Sequence, residues 1–152
     1  MEFIEYLDRT EVEIIRIVEK AGYKTEENTP LCLLSNNYVG FLDKKKKVII
    51  ICTNNAKERE FSTIKRKKDM DTFERVAIHI KKALRHEAVH VAQECNNGRL
   101  LEIERKLSMK SSKTRALNGS IRISGEEEKE RQAYILEDKP RLVKNELIKY
   151  CL

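Results

Sequence analysis

The sequence predicts an α+β protein, with helices packed on one side of a small, mainly antiparallel sheet. Three observations lead there. The N-terminal stretch MEFIEYLDRTEVEIIR is amphipathic at helical spacing. The run Val48-Ile49-Ile50-Ile51-Cys52 is β-branched and uninterrupted. A long segment from about Thr72 to Cys95 returns to helical spacing, and further helical segments follow it. A chain of 152 residues suits one domain, 1–152, with a core of moderate size.

Taken in order, residues 3 to 21 read as a helix through Phe3, Ile4, Leu7, Ile14, Ile15 and Val18, with Gly22 as its stop. Thr25 to Pro30 is a polar connection, and Leu31–Leu34 is a short apolar run. Tyr38–Leu42 and Val48–Cys52 read as strands joined by the Asp43–Lys47 turn. The second of these has no polar face, which predicts a central strand buried on both sides. Asn54 to Lys68 is a polar connection with room for some helix. Asp69 or Asp71 can cap the Thr72–Cys95 helix, and Asn96-Asn97-Gly98 supplies residues that tolerate a left-handed ending. Leu100, Leu101, Ile103 and Leu107 suggest a short helix over Arg99–Met109. Lys110–Ser124 is rich in Ser, Lys, Arg and Gly and reads as a loop. Glu126–Glu137 reads as a helix, and Pro140 starts a last one through Tyr150. There is no internal repeat.

The chain carries 31 Lys+Arg against 25 Asp+Glu, a net charge of +6. The positive charge concentrates in Lys44–Lys47 and Lys65–Lys68. Such runs can face nucleic acid, but no aromatic residues interleave with them to stack bases, so solvated turns are the favoured reading. No apolar stretch reaches transmembrane length, and the N-terminus is acidic rather than signal-like. A cytoplasmic protein with no membrane partner is expected. Cys32, Cys52, Cys95 and Cys151 lack C-x-x-C spacing and read as buried thiols; a Cys95–Cys151 bridge has no specific support.

His86-Glu87-Ala88-Val89-His90 reads H-E-x-x-H inside the long helix. Histidines four apart lie about one turn apart on one face, so both imidazoles can reach one ion. Glu87 projects beside them, where a general base for an activated water must stand. The ordinary alternative is a polar face of a charged helix. Against it, two of the 3 histidines fall in this one motif. Leu84, Ala88, Val91 and Cys95 form a separate stripe that faces the core. His79 lies two turns before His86, about 10 Å away, too far to share an ion; it reads as half-buried or cleft-lining.

A zinc site needs at least three protein ligands. No histidine follows His90, and Cys95 sits on the core face of the same helix. The third ligand is therefore expected to be a carboxylate from another segment. His86-Glu87-x-x-His90, followed by Glu130-Arg131-Gln132-Ala133-Tyr134, resembles the gluzincin branch of zincin metallopeptidases, in its small bacterial and phage form. The resemblance implies a zincin-like fold with the motif on a long central helix. It implies about one Zn²⁺ per chain, held by His86, His90 and Glu130, with Glu127 the next candidate for the third position. It further implies Glu87 as general base, a peptide or protein substrate held along an edge strand between Leu31 and Cys52, and close approach of the two site helices at Ala133. Tyr134 and Glu137, at helical spacing from Glu130, are candidates to stabilise a transition state or to orient a histidine.

The expected activity is hydrolysis of peptide bonds by a zinc-activated water. Other readings are a catalytically inactive protein of zincin fold that binds or scaffolds, a protease associated with nucleic acid, and a structural protein without metal.

Overall fold

The computed structural model describes residues 1–61, 72–103, 113, 117 and 126–152. The chain opens with a 3-10 turn, Glu2–Tyr6, followed by α1, Arg9–Lys20. The single helix expected over residues 3 to 21 is thus split in two. Glu27 explains part of the split, because its carboxylate accepts the backbone N–H of Glu2 and Phe3 at 2.9 and 2.7 Å and anchors the first turn separately. Gly22 ends α1 with a φ of +93°, as its place after the apolar run predicts.

The sheet has three strands: β1, Lys24–Glu27; β2, Gly40–Asp43; and β3, Val48–Ile51. Their order is β1-β3-β2. β2 runs antiparallel to β3, with Gly40 opposite Ile51, but β1 runs parallel to it, with Lys24 opposite Val48. The expected mainly antiparallel sheet is therefore mixed. β1 falls where a polar connection was expected. It is an edge strand held by backbone pairing, so its side chains need no apolar pattern. The apolar run at 31–34 contributes a 3-10 turn, Pro30–Leu33, which Pro30 favours at its first position. Asn55 holds the following loop, donating to the carbonyls of Cys32, Ser35 and Tyr38.

All four residues of β3 are buried, as a central strand requires. Ile49 and Ile51 face the main core with the helices, while Val48, Ile50 and Cys52 face a small cluster with Cys32 and Phe41. The helices thus cover one side of the sheet. They are α2, Thr53–Phe61; α3, Thr72–Cys95; α4, Glu127–Leu136; and α5, Pro140–Cys151. α2 occupies part of the expected Asn54–Lys68 connection. The caps proposed at Asp69 and Asp71 lie outside the described residues. So does most of the helix expected over Arg99–Met109, whose residues 99–103 are not helical. Of the Lys110–Ser124 segment only Lys113 and Leu117 are described, and both are buried.

α3 is the axis of the fold. It packs against α1, α2, α4, α5 and two strands. Every residue from His86 to Gln93 is buried, so here the helix is enclosed on all sides rather than amphipathic. Asn97 and Gly98 end it at φ +59° and +73°, and the Gly98 N–H bonds back to the Gln93 carbonyl at 2.9 Å. No helix among the described residues is long and apolar enough to cross a membrane.

The cysteines differ from expectation. Cys32–Cys52 and Cys95–Cys151 are disulfides, with Cα atoms 5.6 and 5.2 Å apart. The spacing in sequence concealed them because tertiary folding makes each pair: β3 returns beside the 30–33 turn, and the last turn of α5 lies beside the end of α3. In a reducing cytoplasm the same pairs would stand as neighbouring thiols. Cys151→Ser is expected to lower unfolding stability of the oxidised protein by about 4 kcal/mol, the chain-entropy value for its loop. Urea unfolding with and without reductant checks this; a reduced protein as stable as the oxidised one would contradict it.

Candidate metal centre

The centre forms where α4 crosses α3. Ala133, fully buried, gives α4 a small face at the contact. Glu130 lies one turn before it and points at the two histidines. Glu130 Oε2 is 3.1 Å from His86 Nε2, and Glu130 Oε1 is 3.0 Å from His90 Nε2. Ligand atoms of His86, His90 and Glu130 all lie within 4.8 Å of one another, and all three residues are buried. Glu127 does not share this position. It is exposed and pairs with Arg131 at 3.1 Å, because it sits nearly a turn away on the solvent face of α4.

The outer nitrogens of both imidazoles are tied down. His86 Nδ1 lies 2.9 Å from Glu137 Oε2. Glu137 Oε1 in turn accepts from Lys113 Nζ at 2.7 Å. Lys113 completes its donors with the Tyr134 carbonyl and the Asp138 carboxylate, both at 2.7 Å. His90 Nδ1 lies 2.8 Å from Gln93 Oε1. The Tyr134 ring meets His86 edge-on, with centroids 4.4 Å apart. Glu137 and Tyr134 are therefore both in contact with His86. Lys113 and Gln93 were not picked out from the sequence. Gln93 carried a signal, being three residues after His90 on one helix face; Lys113, distant in sequence, carried none.

The electrostatics follow from burial. Desolvation works against a charged His86, but hydrogen bonds to the Glu130 and Glu137 carboxylates outweigh it and lift its pKa to about 10. Desolvation likewise works to raise Glu130, and the two imidazoles beside its carboxylate, His86 foremost, overcome this and hold it well below the usual carboxylate range. Glu87 is raised, first by burial. It stands outside the three-residue group and beside β2. A Cβ placed on Gly40 would lie 3.3 Å from Glu87 Cγ and 3.2 Å from Ala83 Cβ.

The donor set fits a divalent cation. His90 Nε2 is buried and 3.0 Å from a carboxylate oxygen, yet it makes no hydrogen bond among the described residues. With Nδ1 donating to Gln93, a neutral His90 turns a lone pair toward an anionic oxygen. Two acceptors that close need a positive charge between them. Two imidazoles and one carboxylate with a further position for water is a catalytic zinc set, and also suits iron.

His79 lies apart from the centre, paired with Glu60 of α2. Of the first lysine run, Lys44 bridges Glu94 and Glu126 at 3.1 and 3.0 Å, and Lys47 lies over the Tyr23 ring. The Lys65–Lys68 run lies outside the described residues.

Residues 3–152 match the sequence model of a family described as "Domain of unknown function (DUF8637)". No curated protein and no solved structure matches the chain.

His86 sets a pH dependence for the metal-free protein. Its folded pKa of about 10 lies above the ordinary 6.5. The stabilisation from its carboxylate partners is therefore complete below pH 6.5 and is lost as pH rises through 10. Denaturant midpoints of the metal-free protein should fall over that window. A flat profile, or a His86 imidazole found neutral by NMR at pH 8, would contradict it.

Proposed function

The chain belongs to the DUF8637 family, and we propose that it is a zinc-dependent peptide-bond hydrolase of zincin-like architecture. The observation that carries this reading is the convergence of His86, His90 and Glu130 on one buried point, with Glu87 between the histidines in sequence and beside a sheet edge in space. His86, His90 and Glu130 hold the metal. Zinc, when bound, supplies Lewis acidity that polarises a carbonyl and makes water a nucleophile near neutral pH. Glu87 accepts the proton of the attacking water on its carboxylate and returns it to the leaving amine. Burial raises its pKa, which favours uptake of a proton by the carboxylate. Glu137 orients His86, and Lys113 balances the charge of Glu137. Tyr134 supports the His86 ring edge-on.

β2 is the candidate substrate strand. It is at one edge of the sheet, paired on one side with β3, and it runs past Glu87 at Gly40. An extended peptide that pairs with such an edge is read through its backbone. The substrate class is accordingly a peptide or an exposed protein segment.

Metal analysis of protein purified without a histidine tag is expected to give about one zinc per chain, lost in His90→Ala and Glu130→Ala. Glu87→Gln should keep the zinc and lose at least 10²-fold in hydrolysis of a fluorogenic peptide library. Zinc at full occupancy with no hydrolysis by the unmutated protein would leave a binding or scaffold role instead.

Gly40→Ala probes the strand. The added methyl must displace either Ala83, fixed in the helix backbone, or Glu87 Cγ, a flexible side chain. The side chain yields, so turnover should fall about tenfold or more with zinc content unchanged. Unchanged turnover would separate β2 from the base.

A further inference from the structure

The imidazoles of the centre are backed by different chemistry. His86 leans on a carboxylate, whereas His90 leans on Gln93, a neutral amide that is 1% exposed. Only one orientation of that amide satisfies its neighbours. Gln93 Nε2 is 3.2 Å from the Lys129 backbone carbonyl, which can only accept. The NH₂ group must therefore face Lys129, and the oxygen must face His90. Gln132 reinforces this. The Leu101 backbone N–H donates to Gln132 Oε1 at 3.0 Å, and Gln132 Nε2 donates to the Leu101 carbonyl at 3.0 Å. Gln132 Oε1 then accepts from Gln93 Nε2 at 3.0 Å. The two backbone groups of Leu101 and the carbonyl of Lys129 thus fix two side-chain amides in series.

We propose that Gln93 is a positioning residue that keeps the proton of His90 on Nδ1 and aims its Nε2 lone pair at the metal point. The Oε1 atom facing His90 Nδ1 at 2.8 Å accepts only, so Nδ1 must carry hydrogen. Nε2 is then the atom left for a metal, and it is the buried nitrogen without a hydrogen bond beside Glu130. Gln132 holds Gln93 by its link to the segment leaving α3. The inference rests on the metal-centre reading for its function but not for its geometry, so the two can be tested separately.

The experiment is ¹⁵N NMR of the histidine rings, with and without zinc, paired with zinc affinity by competition against a chromogenic chelator. The proteins are the unmutated chain, Gln93→Met and Gln93→Glu. Methionine keeps the length and apolar bulk but accepts no such bond; glutamate keeps the acceptor toward His90. In the unmutated protein His90 Nδ1 should carry a proton protected from solvent exchange, whether or not zinc is present. Gln93→Met should lose that protection and bind zinc about 10- to 100-fold more weakly. Gln93→Glu should restore the protected proton and most of the affinity, even if it is less stable for facing the Lys129 carbonyl. An unprotonated Nδ1 in the unmutated metal-free protein would overturn the proposal, as would full affinity and a protected proton in Gln93→Met. Failure of the unmutated chain to bind zinc would overturn the metal reading alone, since the ring protonation is still read without metal.

Discussion

The structure turns on a buried carboxylate held between two imidazoles. Glu130 reaches from α4 into the enclosed face of α3, and none of the three groups is exposed enough to rely on water. Burying such groups is costly unless each satisfies another or a cation satisfies them all. Without metal, His86 meets the demand by holding a proton far above its ordinary range. With metal, the cation takes that role. Either way the crossing of α3 and α4 depends on positive charge at one point.

Much of the surrounding structure serves that point. Ala133 keeps the crossing close, and Lys113 enters from the segment between α3 and α4 to neutralise Glu137 behind His86. Gln93 and Gln132 do the equivalent for His90 with uncharged groups. The division has a reason in charge balance. Glu130 and Glu137 are already two anions in a buried volume, with Lys113 set against one of them. A carboxylate behind His90 would add a further charge to this buried volume, whereas an amide orients the ring without adding one.

The sheet acts mainly as a platform. β3 is buried on both faces, and its helix-facing side carries Ile49 and Ile51 into the core that backs α3. β2 is thereby held against α3 closely enough that a side chain on Gly40 would press on Ala83 and Glu87. Lys44, at the turn after β2, ties the hairpin to the end of α3 and the start of α4 through Glu94 and Glu126. Lys44, though exposed, thus links three elements of the fold.

The sequence by itself determined what depends on local spacing. The H-E-x-x-H histidines share a face because the helix has a fixed period, β3 is central because it has no polar face, and Gly22 and Gly98 stop helices because they accept positive φ. Glu130 was legible only through the resemblance of Glu130-Arg131-Gln132-Ala133 to the downstream gluzincin motif, and Glu137 through its helical spacing from Glu130. Tertiary structure alone decided what depends on segments meeting. The polar strand β1 pairs through backbone atoms, which carry no side-chain signature. The disulfides join cysteines separated by 20 and 56 residues, and Lys113 finds Glu137 across a gap in sequence that no periodicity spans. The orientation of His90 rests on a backbone carbonyl of α4 and on the backbone of Leu101, groups that every residue possesses. Only the folded chain distinguishes the ones that matter, because their identity lies in position rather than in residue type.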